Sequence, residues 1–172
     1  QAKGFGESSM STRGFDQSNT AFLLNGQPIN GMDNGRVYWS NWSGLTDIAS
    51  LIQIQRGLGS SKLAISSVGG TTNFVTKSAD MKEGGFVKLS VGNDMLRKST
   101  IAYNTGLMKN GFAVSAMLTD WSGDGYMNKT AGAGQNYFLS VGYKVNEKHN
   151  LNLMVTGAPQ WHQQGYTGKL QT

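Results

Sequence analysis

The chain contains no cysteine and only two prolines among its 172 residues. The absence of cysteine excludes a disulfide framework and any metal site built on thiolates. So few prolines argue against a disordered, proline-rich linker. The sequence also lacks any uninterrupted apolar run of about eighteen residues, so no helix is expected to span a membrane.

The charged residues form no concentrated patch. The formal net charge is +5, but lysine and arginine are scattered and form no basic stripe with interleaved aromatic residues. Nucleic acid is therefore not an expected partner. His149 and His162 lack the paired spacing of zinc ligands, so no metal site is predicted.

Two segments have a superficial likeness to binding loops. Residues 57–62 fail the spacing of a phosphate-binding loop, and Leu63 follows the lysine where serine or threonine is required. Residues 120–125 lack the alternating acids and terminal glutamate of a calcium loop. No serine has a visible base and orienting acid, and no pair of carboxylates stands out. The sequence predicts no catalytic residues, no cofactor and no enzymatic activity.

Strict alternation of apolar and polar residues dominates the second half of the chain. Alternation predicts strands with two different faces, and about ten residues is the length of a tilted strand that crosses a bilayer. One face carries valine, leucine and tyrosine, and the other is small and polar, as a wet lumen requires. An antiparallel sheet of a soluble sandwich is the alternative. The segments are residues 86–93, 98–107, 112–121, 135–145 and 150–157.

The connections between these segments differ in length. Residues 108–111 include the Asn-Gly pair of a tight turn, and residues 146–149 form a second short turn. Residues 122–134 make a longer, glycine-rich loop. Short turns at one end and longer loops at the other are typical of outer-membrane barrels. Pro159 is expected to end the fifth strand.

Residues 1–79 have a different character. A buried strand at 21–24 leads into an Asn25-Gly26 turn, and Thr46 or Asp47 is positioned to cap a helix that ends at Leu51. Strands are predicted at 52–55 and 68–77. These elements predict a small mixed α/β unit.

Four short motifs in this first half resemble the plug domain of TonB-dependent outer-membrane receptors. They occur in the family's order, although Leu58 stands where the family usually has proline. The resemblance implies an α+β plug with a small mixed sheet, followed by antiparallel transmembrane strands of an incomplete β-barrel. Residues 1–79 would be the plug without its N-terminal part, and residues 80–172 the first five or so strands. The motifs are Arg13-Gly14-Phe15, residues 23–30, residues 52–61 and residues 68–77.

The resemblance also implies a function. It implies active import of a scarce nutrient (a siderophore, cobalamin, haem or oligosaccharide) across the Gram-negative outer membrane. TonB would supply the energy through a box that is absent from this chain, outer-membrane lipid would surround the strands, and a surface lipoprotein is a possible partner. The alternative is a soluble β-rich module in which Trp39 and Trp42 bind carbohydrate. An apolar face that points outward favours the barrel.

Residues 31–44 correspond by resemblance to an apical plug loop that contacts ligand. Aromatic rings supply stacking area and arginine supplies a charged donor, both suited to a bulky polar ligand. The alternative is that the two tryptophans pack the plug against the barrel wall. The candidate ligand-binding residues are Arg36, Tyr38, Trp39 and Trp42.

Six further residues are expected to have structural roles in the plug. Arg13 and Arg56 would pair with carboxylates or carbonyls on the wall, because an unpaired buried charge is costly. Four glycines would permit a positive φ or a close approach of the backbone. They are Gly57, Gly59, Gly69 and Gly70.

Overall fold

The computed structural model describes residues 14–42, 44–57, 67–76, 78, 81–125 and 129–163, apart from the Ser40 side chain. Two sheets organise these residues. We call the unit built on the first sheet the plug, and the second sheet the wall. In these ranges, no helix is both long and apolar enough to cross a membrane.

The plug contains a four-stranded mixed sheet with strand order β2-β1-β4-β3. Strand β1 pairs in parallel with β4, whereas β3 pairs with β4 in the antiparallel direction. The strands are β1 (Ala21–Leu24), β2 (Gln27–Pro28), β3 (Leu51–Gln55) and β4 (Thr71–Val75). This arrangement is the small mixed sheet that the sequence predicts, with β3 and β4 close to their expected positions.

Helix α1 (Leu45–Ile48) covers one side of the plug core. It buries Leu45 and Ile48, three residues apart and therefore on the same face. The expected cap at Thr46 or Asp47 is wrong. The residue that precedes the helix is Gly44, with a φ of 88° and no side-chain cap, and the Asp47 carboxylate is directed to lysines of the wall.

The wall is a six-stranded antiparallel sheet that is not closed. Its order is β10-β8-β7-β6-β5, and β9 also pairs with β8. The strands are β5 (Gly84–Val91), β6 (Arg97–Asn104), β7 (Phe112–Gly123), β8 (Gly132–Lys144), β9 (Asn150–Gly157) and β10 (Gln160–His162).

Strands β9 and β10 follow the same edge of β8 and are separated by Ala158 and Pro159. The fifth strand ends at Gly157, just before Pro159, as expected, and pairing with β8 resumes in a separate strand at Gln160. Proline has no N–H to donate, but its carbonyl still accepts a hydrogen bond from the Gln135 amide at 2.9 Å. The proline therefore lies between two strands that pair with the same edge of β8.

The two faces of the wall differ as the alternation predicts. Thr100, Ala113 and Ser140 point towards the plug and are buried, with Ser140 0% exposed. Leu89 and Leu153 point away from the plug and are 75% and 67% exposed. No second sheet within the described ranges covers the outward face. The apolar bands thus have the orientation that distinguishes a barrel wall from a sandwich.

Candidate ligand loop and plug–wall interface

The segment after β2 folds into a defined loop. The Gly31 amide donates to the Arg36 carbonyl at 2.8 Å, and the Gly35 amide donates to the Gly31 carbonyl at 2.8 Å. The Asn30 side-chain amide donates to the carbonyls of Gly35 at 2.8 Å and Thr20 at 3.0 Å. These bonds anchor both ends of the turn to the plug and fix where the next side chains point.

Arg36 and Tyr38 lie on the exposed side of this loop. Arg36 Nη2 donates to Asp16 Oδ2 at 3.2 Å, and both side chains of this pair are about half exposed. The Asn34 side-chain amide donates to the Tyr38 hydroxyl at 2.8 Å, and Tyr38 is 44% exposed. A guanidinium and a phenol ring are therefore held at the surface with hydrogen-bonding capacity remaining.

Trp39 belongs to the plug interior. Its Nε1 donates to Gln17 Oε1 at 3.0 Å, and Gln17 is buried. The indole meets Phe22 edge to face at 4.9 Å between ring centroids and Phe74 at 6.2 Å. Such contacts favour a packing role, since both the ring and its single donor are already engaged.

Trp42 lies where the plug meets the wall. It packs against the hydrophobic core cluster, which includes residues of both units. It lines a narrow gap together with Leu45 of α1, Met117 of β7, Phe138 of β8 and Met154 of β9. The four candidate ligand residues are thus split between an exposed pair, Arg36 and Tyr38, and two tryptophans engaged in packing.

Small polar contacts join the plug to the wall at a second place. The Ser78 hydroxyl donates to the Ala113 carbonyl at 3.3 Å, and the Ser140 hydroxyl lies 3.4 Å from that of Ser78. Nearby, the Thr76 hydroxyl lies 3.5 Å from the Met154 sulfur. Ser78 and Thr76 are fully buried, so this contact excludes water.

A charged contact joins the plug to the wall at α1. Asp47 accepts hydrogen bonds from Lys98 Nζ at 3.1 Å and Lys88 Nζ at 3.3 Å. Burial by itself raises the pKa of the Asp47 carboxyl, but the hydrogen bond and charge of Lys98, with a further contribution from Lys88, bring that pKa below its ordinary value. The carboxylate is therefore ionised at neutral pH and bound to two strands of the wall.

The residues that were expected to have structural roles in the plug differ in their exposure, backbone conformation and contacts. Arg56 is exposed and forms no ion pair within the described ranges, so no pairing with the wall is found for it. Gly57 and Gly70 have φ values of 73° and 103°, a region that favours glycine. At Gly69, a Cβ would lie 2.7 Å from the Asn19 carbonyl oxygen. Arg13 and Gly59 lie outside the described residues.

The Asp47 contact is not predicted from the sequence, although the position of one of its lysines is. Alternation places Lys88 on the inward face of its strand, opposite Val87. A lysine on an inward face needs a partner, but the sequence does not identify Asp47 as that partner. As for metals, the part of the chain that the structure describes holds no group of three or more potential ligands.

Three solved structures illustrate what the fold of this chain is similar to. The pyoverdine outer membrane receptor FpvA from Pseudomonas aeruginosa matches with a TM-score of 0.63 and 16% identity over 87% of this chain. The ferric-catecholate import receptor Fiu from E. coli K12 matches with a TM-score of 0.67 and 18% identity over 92%. The siderophore receptor PiuA from Acinetobacter baumannii matches with a TM-score of 0.60 and 17% identity over 88%.

The chain spans 22%, 23% and 21% of the length of these three proteins, respectively. No protein-family model and no curated protein matches the sequence. All three structures are receptors by name. The mixed sheet and the open antiparallel sheet have the plug-and-barrel fold of TonB-dependent outer-membrane receptors, as the sequence resemblance predicts.

Proposed function

We propose that this chain is part of a TonB-dependent receptor that imports a scarce nutrient across the Gram-negative outer membrane. The observation that carries the proposal is the orientation of the wall. One apolar face points outward, while the plug packs on the inward face, where small polar residues lie beside Ala102, Met117 and Phe138. Lipid is the medium that an apolar outward face requires. An open sheet edge in lipid leaves backbone groups unsatisfied, so further strands would complete the barrel.

The proposed division of the chain is a plug at residues 1–79 and barrel strands at residues 80–172. The contacts of Ser78 support it, because this residue still packs inside the wall, whereas β5 begins soon afterwards at Gly84. TonB is the proposed energy source, acting on a segment outside this chain. The plug–wall contacts described above are those that its force would have to break.

A ferric siderophore is the ligand class that we favour. The likeness to receptors for pyoverdine and a ferric catecholate supports this choice over cobalamin, haem or an oligosaccharide. Arg36 and Tyr38 are the proposed contacts, because they are the exposed members of the candidate set. An arginine offers donors to anionic oxygens, and a tyrosine ring offers a face for stacking.

The uptake experiment uses the full-length receptor in a strain from which the other siderophore receptors have been deleted. We expect iron uptake from a panel of ferric siderophores to depend on the receptor and on TonB. Arg36→Ala and Tyr38→Ala should each raise the siderophore concentration that gives half-maximal uptake about tenfold, since contacts of this kind contribute roughly 1–2 kcal/mol to binding. Met32→Ala is the control, because Met32 is fully exposed in the same loop. TonB-independent uptake, or no uptake with any siderophore, would contradict the proposal.

A soluble carbohydrate-binding module is the second candidate, and the structure does not favour it. Such a module requires an exposed aromatic platform, but Trp39 is bonded inside the plug and Trp42 packs at the wall. It would also leave the outward leucines and valines of the wall in water, a contiguous apolar surface that a soluble monomer rarely shows.

A further inference from the structure

The outward face of the wall changes from apolar to polar along its strands. Side chains that face one another across neighbouring strands form a level of the sheet. One such level is apolar and consists of Val87, Ile101, Leu118 and Tyr137. The next level along β6, β7 and β8 is polar, and we call it the polar row: Ser99, Asp120 and Gln135. All three members of the polar row are exposed on the outward face.

The polar row contains a carboxylate, which restricts how deep it can lie in lipid. The Gln135 side-chain amide donates to Asp120 Oδ2 at 3.4 Å, so the carboxylate has a neutral neighbour on the same face. A charged side chain on the lipid face is costly at the bilayer midplane and costs little near the interface. The polar row therefore fits the edge of the hydrocarbon layer and not its interior.

The backbone at the same level gives a second, independent reason. The Gln135 amide donates to the Pro159 carbonyl at 2.9 Å, but Pro159 has no N–H with which to return the bond to the Gln135 carbonyl. A backbone carbonyl without its ladder partner is costly in hydrocarbon, whereas water and lipid headgroups supply donors. A proline at this point of the sheet also indicates that the hydrocarbon layer ends here.

An apolar groove of about 350 Å³ adjoins the polar row. Its outward lining combines the apolar level with all three members of the polar row. The apolar side chains match the acyl chain of a lipid. The hydroxyl of Ser99, the carboxylate of Asp120 and the amide of Gln135 match the donors and acceptors of a headgroup. The groove thus has the chemistry of one lipid molecule along its length.

The apolar surface does not end at the same level on every strand. On β5 it continues to Val91, which is 89% exposed and lies, through successive pairs, at the level of Ala133 in β8. On β9 the last outward apolar side chain is Val155, which pairs with Leu139. From β5 to β9 the edge of the apolar surface therefore shifts by the six residues that separate Ala133 from Leu139 along β8.

This shift gives an angle between the strands and the membrane. Six residues cover about 20 Å along a strand, and the four steps from β5 to β9 cover about 19 Å across the sheet. A flat boundary with this slope requires strands tilted by about 45° from the membrane normal, as in outer-membrane barrels. A boundary perpendicular to the strands would instead pass through Leu89 and Gln135, which lie at the same level.

We propose that the outer boundary of the hydrocarbon layer crosses the wall obliquely, from Val91 in β5 to Val155 in β9, and that the polar row contacts lipid headgroups while an acyl chain lies in the adjoining groove. This proposal rests on the proposed function, which places the wall in the outer membrane. The boundary is the outer one because the turns at residues 108–111 and 146–149 lie at the other end of the strands, and short turns face the periplasm.

Spin-label depth measurement in the full-length receptor tests the boundary. Leu89→Cys and Gln135→Cys are made separately in a receptor free of other cysteines and are labelled with a nitroxide. Each is placed in vesicles of phosphatidylethanolamine and phosphatidylglycerol. Depth follows from the accessibility of the label to oxygen, which concentrates in lipid, relative to a water-soluble nickel chelate. Heat-modifiable gel mobility confirms that each variant is folded.

We expect the label at position 89 to lie about 10 Å deeper than the label at position 135, since three strand spacings at a tilt of 45° give this difference in height. Leu153→Cys is the lipid control, on the outward face of β9, and Glu147→Cys is the aqueous control, in an exposed turn. If either main variant fails to fold, Val87→Cys and Tyr137→Cys, which also share a level, make the same comparison.

Equal depths at positions 89 and 135 would overturn the oblique boundary, even with both labels in lipid. A label at position 135 as deep as the one at position 153 would place the polar row inside the hydrocarbon. Shielding of position 135 from both oxygen and nickel would mean that protein covers it, and either result would overturn the headgroup contact. Water at positions 89 and 153 alike would show that lipid does not cover the wall, which contradicts the proposed function itself.

Discussion

The hydroxyl of Ser78, in the plug, lies 3.4 Å from the hydroxyl of Ser140, in strand β8 of the wall, and both residues are 0% exposed. Two small residues face each other there, so the plug and the wall approach closely. The same requirement accounts for the small inward-facing residues at neighbouring positions, such as Ala113 and Ser115. Small side chains are therefore needed at these inward positions because the plug approaches the wall closely there.

Enlarging this contact should destabilise the receptor. We expect Ser140→Leu to lower stability by about 1–3 kcal/mol or more, because overpacking forces neighbouring groups apart. The measurement is the temperature at which the folded gel band of the full-length receptor converts to the unfolded one. Ser99→Leu is the matched control, since Ser99 lies on the outward face of β6 and is exposed. Equal effects of the two substitutions would contradict the assignment of faces.

A charge on the outward face should prevent assembly. Leu139 lies near the middle of β8 and is 44% exposed on that face. We expect Leu139→Arg to cost about 2–4 kcal/mol, the penalty for arginine near the bilayer midplane, and to reduce the folded receptor recovered from outer membranes. Glu147→Arg, in the exposed turn after β8, should assemble normally. Normal assembly of Leu139→Arg would show that lipid does not cover this face.

Trp39 should affect stability more than ligand binding. We expect Trp39→Ala to cost about 3 kcal/mol, at the lower end for tryptophan because the ring is only partly buried. Trp39→Phe, which keeps the aromatic contacts but loses the bond to Gln17, should cost about 1 kcal/mol. The temperature at which the folded gel band converts to the unfolded one reports stability, and siderophore titration reports binding affinity. Should Trp39→Phe weaken binding as much as Arg36→Ala, Trp39 would be a ligand contact after all.

The Asp47 contact should depend on pH in one direction. Because the pKa of Asp47 is lowered in the folded protein, its contribution to stability is present above the pKa of the unfolded chain, about 4, and is lost as pH falls further. Lys88 and Lys98 face the carboxylate, and Lys82 lines a cavity that Asp47 also lines. The stability difference between the unaltered receptor and Asp47→Asn should be constant from pH 7 to about 5 and should shrink as the pH falls below about 4. A difference that grows on acidification would contradict this account.

The sequence predicts the two sheets well because their signals are local. Alternation assigns Val87 and Leu89 to one face and Lys88 to the other without any knowledge of the plug. The Asn110-Gly111 pair likewise predicts its turn, in which the Gly111 amide bonds to the Met108 carbonyl at 2.9 Å with a φ of 83° at the glycine. Such features depend on neighbours a few residues apart.

The sequence does not predict which residues meet across the two units. Asp47 is 41 residues from Lys88 and 51 from Lys98, and no local pattern connects them. A capping role is the natural interpretation of a carboxylate at the start of a helix, and the lysines override it. The tryptophans show the same limit, because composition alone cannot distinguish an exposed platform from Trp39 bonded to a buried glutamine.

The most direct test of the outer-membrane assignment is cell fractionation of the full-length receptor, with gel mobility compared before and after heating. We predict that the protein is recovered with the outer membrane and that unheated samples migrate as a compact band that shifts on boiling. This result would establish a folded barrel of which the wall strands are part. A product in the soluble fraction whose mobility does not change on heating would contradict both the barrel and the import function built on it.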